Sequence, residues 1–195
     1  MMKVQQDWGV LVSQTGSEVI AISRETGFLP SLLVTNRLTK IPEDNMRFFG
    51  ENGVTIRTMP LKPTLKDYLF PELLEKSLIT LHGFLRIVPE EFFPHFKGEM
   101  YNGHPALITM YPELKGFNKQ EDIAGNQEKY EWCGSVIHKV IPELDSGEVV
   151  VACSTKNTAN TVDEAYKLLR GTSLRSWTIF FKSWSTEDKS LLLTK

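Results

Sequence analysis

Three side chains suited to acyl transfer stand close together in kind and order: Asn102, His104 and Asp145. Asn102 and His104 are two residues apart, and in an extended segment positions i and i+2 project to the same side. A carboxamide and an imidazole would then face one pocket. Pro105 biases His104 toward an extended backbone. Asp145 lies in a run of turn residues, Pro142-Glu143-Leu144-Asp145-Ser146-Gly147, that can close over the same place. Attack of an amine on an acyl carbon makes a tetrahedral oxyanion, which positioned donors stabilise. Asn102 and a protonated His104 are such donors. Asp145, directly or through water, can set the charge on His104 and relay protons. No serine or cysteine nucleophile is needed for direct transfer. Each residue alone also has a plainer reading, as a turn or a loop carboxylate. His138 shares one face of an alternating run with Val136 and Val140, where a buried structural role and a functional one are equally open. His104, His138 and Asp145 are also metal-ligand types, but the short-spaced histidine pair common in such sites is missing.

Residues of this kind need a scaffold that presents loops from one edge. The first half alternates β-rich runs with helical spacing. Residues 8–12, 31–35, 54–59 and 77–84 read as strands, and residues 65–76 have helical spacing with Tyr68, Leu69, Leu73 and Leu74 on one side. A polar turn, residues 13–17, leads from the first strand into a helix. Residues 90–95 read as another helical piece and residues 99–102 as an extended run. Strands alternating with helices predict a parallel sheet covered on both faces. Residues 134–140 and 148–154 are β-rich, and so short a link favours an antiparallel pair. Thr161-Val162-Asp163-Glu164 is a capping-box pattern opening a helix whose apolar face carries Ala165, Leu168, Leu169 and Trp177. Gly171 weakens that helix in its middle. The predicted fold is α/β, a doubly wound, mostly parallel open sheet with helices on both faces and an antiparallel strand pair toward the C-terminus. In such sheets ligands bind at the carboxyl ends of the parallel strands.

The bulk properties narrow the partners. With 41% hydrophobic and 24% charged residues, the 195-residue chain has the balance of a water-soluble globular domain. The net charge of −2 argues against a nucleic-acid backbone or an anionic membrane as the main partner. Cys133 and Cys153 form no CxxC and no disulfide framework, which favours a reducing, cytoplasmic setting. The N-terminus lacks the apolar stretch of a secretory signal, and no segment is long enough to span a bilayer. The stretch after Trp184 reads as a polar, loosely held tail over residues 185–195.

Several ordered stretches resemble the formyltransferase family: Leu81-His-Gly-Phe-Leu-Arg-Ile-Val-Pro-Glu90, Tyr101-Asn-Gly-His-Pro-Ala-Leu-Ile108 with Tyr111-Pro112, and Gly134-Ser-Val-Ile-His138 followed by Glu143-Leu-Asp-Ser-Gly147. Each is weak alone, and the ordered set is specific. The resemblance implies one formyltransferase domain over residues 1–195 and N-formyl transfer from 10-formyltetrahydrofolate as co-substrate. It implies no metal. The acceptor it implies is a small amine, nucleotide-linked, with glycinamide ribonucleotide (a purine-biosynthesis intermediate) first and an amino-sugar nucleotide as the alternative. It makes Asn102, His104 and Asp145 the catalytic trio, with Ser135 and His138 in support. It places the folate near Leu85, Arg86, Ile87 and Val88 and near Glu143, Leu144, Ser146 and Gly147. It places the acceptor's phosphate at the turn Thr15-Gly16-Ser17-Glu18, where the carboxylate of Glu18 would repel an anion unless turned away. A family glutamate of the C-terminal helix aligns with Thr172. The expected form is a monomer or homodimer. The RNA-acting branch carries an extra basic domain, for which this chain has neither the length nor the charge. A folate-binding protein without catalysis is the reading from a different class.

Overall fold

The computed structural model describes residues 3–185, so the expected tail over residues 185–195 falls almost wholly outside the described residues. The strands follow hydrophobic runs. β1 (Lys3–Val12) carries the unbroken buried run Trp8 to Val12, the signature of a strand covered on both faces. β2 (Phe28–Thr35), β3 (Thr55–Thr58), β4 (Leu78–His82) and β5 (Glu99–His104) follow, then β6 (Trp132–Lys139) and β7 (Val149–Lys156). The hydrogen-bonded order is β3-β2-β1-β4-β5-β6-β7. β1 pairs in parallel with β2 and with β4, β2 with β3, and β4 with β5. β6 and β7 pair antiparallel, from Trp132 opposite Lys156 to Ile137 opposite Val151. The sheet is thus mixed and mostly parallel with an antiparallel C-terminal pair, as the sequence predicts, and helices surround it.

Two compact units divide the chain after Asn102. In the first, α1 (Ser17–Thr26) buries Val19, Ile20 and Ile22, and α2 (Glu43–Glu51) buries Phe49. The sequence reading passed over α2. Its signal was Pro42 followed by Glu43 and Asp44, carboxylates that favour the positive end of the helix dipole. The helix predicted over residues 65–76 is corrected. It forms a single 3₁₀ turn, Leu65–Asp67, and a separate short α3 (Pro71–Leu74). Pro71 is the cause, because it forces Phe70 into an extended conformation, φ −115 and ψ 145. Of the predicted apolar side, Tyr68 and Leu73 are buried and Leu69 and Leu74 are half-buried, although the helix is broken. The piece over Glu90–His95 is likewise a 3₁₀ helix.

In the second unit, α4 (Lys119–Ile123) and α5 (Val162–Ser185) complete the elements. The predicted capping box opens α5. The Glu164 carboxylate accepts the backbone N–H groups of Asn160 and Thr161, and the Thr161 hydroxyl accepts that of Glu164. Gly171 does not interrupt this helix. It lies on the solvent side, while Leu169, Ser176, Trp177 and Phe180 are buried. Their burial outweighs a glycine penalty of about 1 kcal/mol. The core here gathers Ala106, Leu107, Ile123, Tyr130, Cys133 and Val136 with Ala165 and Leu169 of α5. β7 alternates buried and exposed residues from Val151 to Ser154, so one of its faces is open to solvent.

Gly103 lets Trp177 of α5 come close to the β5 backbone. A Cβ at Gly103 would lie 2.6 Å from Trp177 Nε1 and 3.0 Å from its Cε2. Gly103→Ala should therefore destabilise the protein by about 1–3 kcal/mol through overpacking. In a double-mutant cycle read by urea unfolding, Trp177→Phe should recover part of that loss, because the smaller ring removes the indole atoms in conflict. Additive losses would show that this approach is not the constraint.

Candidate active site

His104, at the end of β5, is 4% exposed. Its Nε2 lies 2.8 Å from the carbonyl oxygen of Leu114. A carbonyl only accepts, so Nε2 carries the proton. Nδ1 faces Asp145 Oδ2 at 3.4 Å. On the other side of Asp145, His138 Nε2 lies 3.4 Å from Oδ1, and His138 Nδ1 donates to the carbonyl of Lys139 at 3.0 Å. The two imidazole centroids are 6.4 Å apart. The backbone N–H of Gly116 donates to Asp145 Oδ2 at 3.0 Å. Asp145 is thus a buried carboxylate that accepts the Gly116 N–H and faces one nitrogen of each imidazole. With the other nitrogen of each ring given to a carbonyl, either ring donates to it only as the imidazolium.

The local backbone is shaped to achieve this. Asp145 has φ 48, the left-handed region that aspartate tolerates better than most side chains. Lys139 N–H donates to the Glu148 carbonyl at 2.8 Å and closes the loop. A Cβ on Gly147 would stand 1.8 Å from the Lys139 carbonyl oxygen, so only glycine fits there. The register of β6 against β7 shifts between Ile137 and His138, which re-aims His138.

Burial opposes ionisation of Asp145. The His138 hydrogen bond, the His104 charge and the Gly116 N–H overcome it and hold the carboxyl at about 2. His104 is pushed below its ordinary value by burial, against the raising effects of Asp145 and the Leu114 carbonyl.

The other expected site residues divide between the two units. Asn102 is half-buried on β5. Ser135 is 1% exposed and directs its hydroxyl at Ser176 of α5, 3.3 Å away, so its immediate partner is a helix. In the loop around Asp145, Glu143 and Leu144 are exposed, and the Ser146 hydroxyl accepts a hydrogen bond from Lys115 Nζ at 3.0 Å. Leu85 and Arg86 are half-buried, Ile87 is exposed and Val88 is buried, in a loop directly after β4. Thr15 is exposed, Gly16 takes the left-handed φ of 71, and the Thr15 and Ser17 hydroxyls are 2.6 Å apart. Thr172 is buried and donates to the Leu169 carbonyl within its own helix.

Glu18 turns its carboxylate to His82, with Oε2 2.9 Å from Nδ1. A buried chain continues behind it, from His82 Nε2 to Thr80 Oγ1 at 2.9 Å and from Trp8 Nε1 to the same oxygen at 2.9 Å. The Glu18 carboxylate only accepts, so Nδ1–H points at it, and in the neutral ring Nε2 then accepts the proton of the Thr80 hydroxyl, which accepts the indole N–H. The sequence reading missed His82. Its only signal was a histidine inside an apolar strand, followed by Gly83. It also missed the segment Leu114 to Gly116, which meets His104 and Asp145 through backbone atoms and so leaves no mark in residue type. Among the described residues, no group of three or more His, Cys, Asp or Glu side chains is arranged to hold a metal ion, and no helix is long and apolar enough to cross a membrane.

The phosphoribosylglycinamide formyltransferase of Escherichia coli (strain K12) is 32% identical over 75 residues, which cover 38% of this chain and 33% of that protein. The Bos taurus trifunctional purine biosynthetic protein adenosine-3 is 27% identical over 172 residues, 82% of this chain and 16% of that protein. The matched part of this chain therefore spans a third or less of either relative. The crystal structure of phosphoribosylglycinamide formyltransferase from Streptococcus pneumoniae TIGR4 superposes with a TM-score of 0.76 at 22% identity, over 93% of this chain and 99% of that one, which shows a shared fold. The family model described as formyl transferase matches residues 64–170, more than half of the sequence, and that stretch contains Asn102, His104, His138 and Asp145. The chain belongs to the formyl transferase family.

Proposed function

We propose that this protein is an enzyme that transfers the formyl group of 10-formyltetrahydrofolate to an amine, with glycinamide ribonucleotide as the acceptor. The observation that carries the reading is the buried Asp145 carboxylate held between His104 and His138. In the reaction the amine nitrogen attacks the formyl carbon and a C–N bond forms. The carbonyl oxygen becomes an oxyanion. The bond from carbon to N10 of the folate then breaks, the proton leaving the amine ends on N10, and the products are the N-formyl compound and tetrahydrofolate.

Asn102, two residues before His104 on β5, is assigned to donate its carboxamide N–H to the oxyanion. The His104–Asp145 pair is assigned to handle the proton. With its proton held at Nε2 by Leu114, neutral His104 presents Nδ1 toward an ionised carboxylate. A proton arriving at Nδ1 gains an anionic partner, while burial keeps His104 below its ordinary value, so the proton is held weakly and can be released to the leaving nitrogen. His138 and Ser135 support the site, His138 by holding the other oxygen of Asp145. Leu85, Arg86, Ile87 and Val88 and the residues Glu143, Leu144, Ser146 and Gly147 are assigned to the folate. The turn Thr15 to Glu18 is assigned to the acceptor, with the Glu18 charge drawn to His82.

His104→Ala and Asp145→Asn should each lower kcat/KM by about 10²–10⁴-fold with the fold retained by circular dichroism. The assay mixes protein, 10-formyltetrahydrofolate and glycinamide ribonucleotide and follows acceptor-dependent loss of the donor. Variants with full activity would sink the assigned mechanism. Donor loss without acceptor would instead point to a hydrolase, and activity only with amino-sugar nucleotides would reassign the acceptor.

Stability should fall with acid in two stages. Asp145 binds its proton more weakly in the folded state than in the unfolded chain, so its contribution is complete above about pH 4 and drains as pH falls toward 2. His104 also binds its proton more weakly when folded, so its part of the loss begins below about pH 6.5. Urea unfolding should therefore show Asp145→Asn less stable than the parent by about 2 kcal/mol at pH 7, with the gap closing between pH 4 and 2. A gap that does not change with pH would contradict the assigned charge state.

A further inference from the structure

The loop from Leu85 to Val88 has no regular secondary structure, yet its backbone is held by a closed ring of hydrogen bonds. The Leu85 N–H donates to Ser13 Oγ at 2.9 Å. Ser13 Oγ–H donates to Asn36 Oδ1 at 2.7 Å. That bond sets the orientation of the amide, whose Nδ2 donates to the Leu61 carbonyl at 3.1 Å. Arg86 Nε donates to the same carbonyl at 2.7 Å, and Arg86 Nη1 returns to the Leu85 carbonyl at 2.7 Å. Ser13 is fully buried and Asn36 is 6% exposed. Ser13 follows β1, Asn36 follows β2 and Leu61 follows β3, so with Leu85 after β4 the ring ties together the segments leaving four parallel strands at the edge where ligands bind in such sheets.

The ring leaves apolar side chains outward. Ile87 is 64% exposed and Leu61 is 53% exposed. Apolar groups held in water on a fixed backbone suit a flat, partly apolar ligand better than they suit the free protein. Both peptide groups of Leu85 are engaged, so the loop need not be ordered when the ligand arrives, and that saving appears as affinity.

We propose that Ser13 and Asn36 are positioning residues for the folate donor, which hold the Leu85–Val88 loop in its binding conformation. The inference rests on the assignment of that loop to the folate. Neither side chain needs to touch the ligand. A positioning role predicts weaker donor binding with unchanged chemistry once the donor is bound.

The test uses the full chain, with Ser13→Ala and Asn36→Asp as separate variants. Asp at 36 can still accept from Ser13 but cannot donate to the Leu61 carbonyl. Three quantities are read: tetrahydrofolate affinity by calorimetry, hydrogen exchange of the Leu85 amide, and steady-state kinetics. The parent should protect the Leu85 amide without ligand. Each variant should weaken tetrahydrofolate binding about tenfold, with kcat at saturating donor and the acceptor KM changed by no more than about twofold. In Ser13→Ala the Leu85 amide should also exchange about tenfold faster. Rapid exchange of that amide in the parent overturns the proposal without any variant, so it stays testable even if a variant fails to fold. Variants that bind tetrahydrofolate as the parent does overturn the positioning role alone. A parent that binds no tetrahydrofolate overturns the folate reading as well.

Discussion

A carboxylate buried at Asp145 is the constraint on which the candidate site depends. An unpaired charge out of water is too costly to keep, so it must be surrounded by donors or protonated. Here His138, His104 and the Gly116 amide surround it and hold its pKa at about 2. Much of the second unit serves that arrangement. The left-handed backbone of Asp145, the bare Gly147 against Lys139 and the register shift at His138 each bring a polar atom to the carboxylate or clear space for it. These features are costly in an ordinary loop, and strained backbone of this kind concentrates where chemistry is done.

The first unit solves a different problem. Where parallel strands end, backbone groups lose their ladder partners and must find others. Side chains supply them around the loop after β4, and a second, side-chain network lies in the same unit. Around Ser13 a ring of hydrogen bonds fixes the loop after β4. Beside it, the chain from Trp8 through Thr80 and His82 orients the carboxylate of Glu18 in the first turn of α1. A negative side chain there is favoured by the helix dipole, and a buried imidazole N–H facing it adds a charge-assisted hydrogen bond. Donation runs one way from Trp8 to Glu18, and in the ring it converges on the Leu61 carbonyl from Asn36 and Arg86, so each network fixes an orientation as well as a contact.

Some of this was legible in residue order. Apolar runs bounded by turn residues located six of the seven strands, because burial on one or both faces of a sheet demands them, and a short extended run marked the start of β5. The short link between residues 140 and 148 implied antiparallel pairing for reasons of chain reach. Thr161 and Glu164 announced the start of α5, since a capping box is local. Other features misled or stayed silent. The helical spacing of residues 65–76 was real, but Pro71 broke the backbone that carried it. Gly171 suggested weakness in a helix that tertiary burial carries through.

By itself, then, the sequence determined the α/β class, the strand positions, the family and the residue types Asn102, His104, His138 and Asp145. All of these depend on local periodicity or on an ordered set of motifs. Only the tertiary structure decided that Asp145 lies between two imidazoles, that Leu114 and Gly116 reach them through backbone atoms, that Glu18 faces His82, and that Ser13 and Asn36 hold the loop after β4. These contacts join residues separated by 7 to 72 positions, or use backbone groups that every residue possesses. Neither residue type nor spacing records such a contact, because folding alone brings its two ends together.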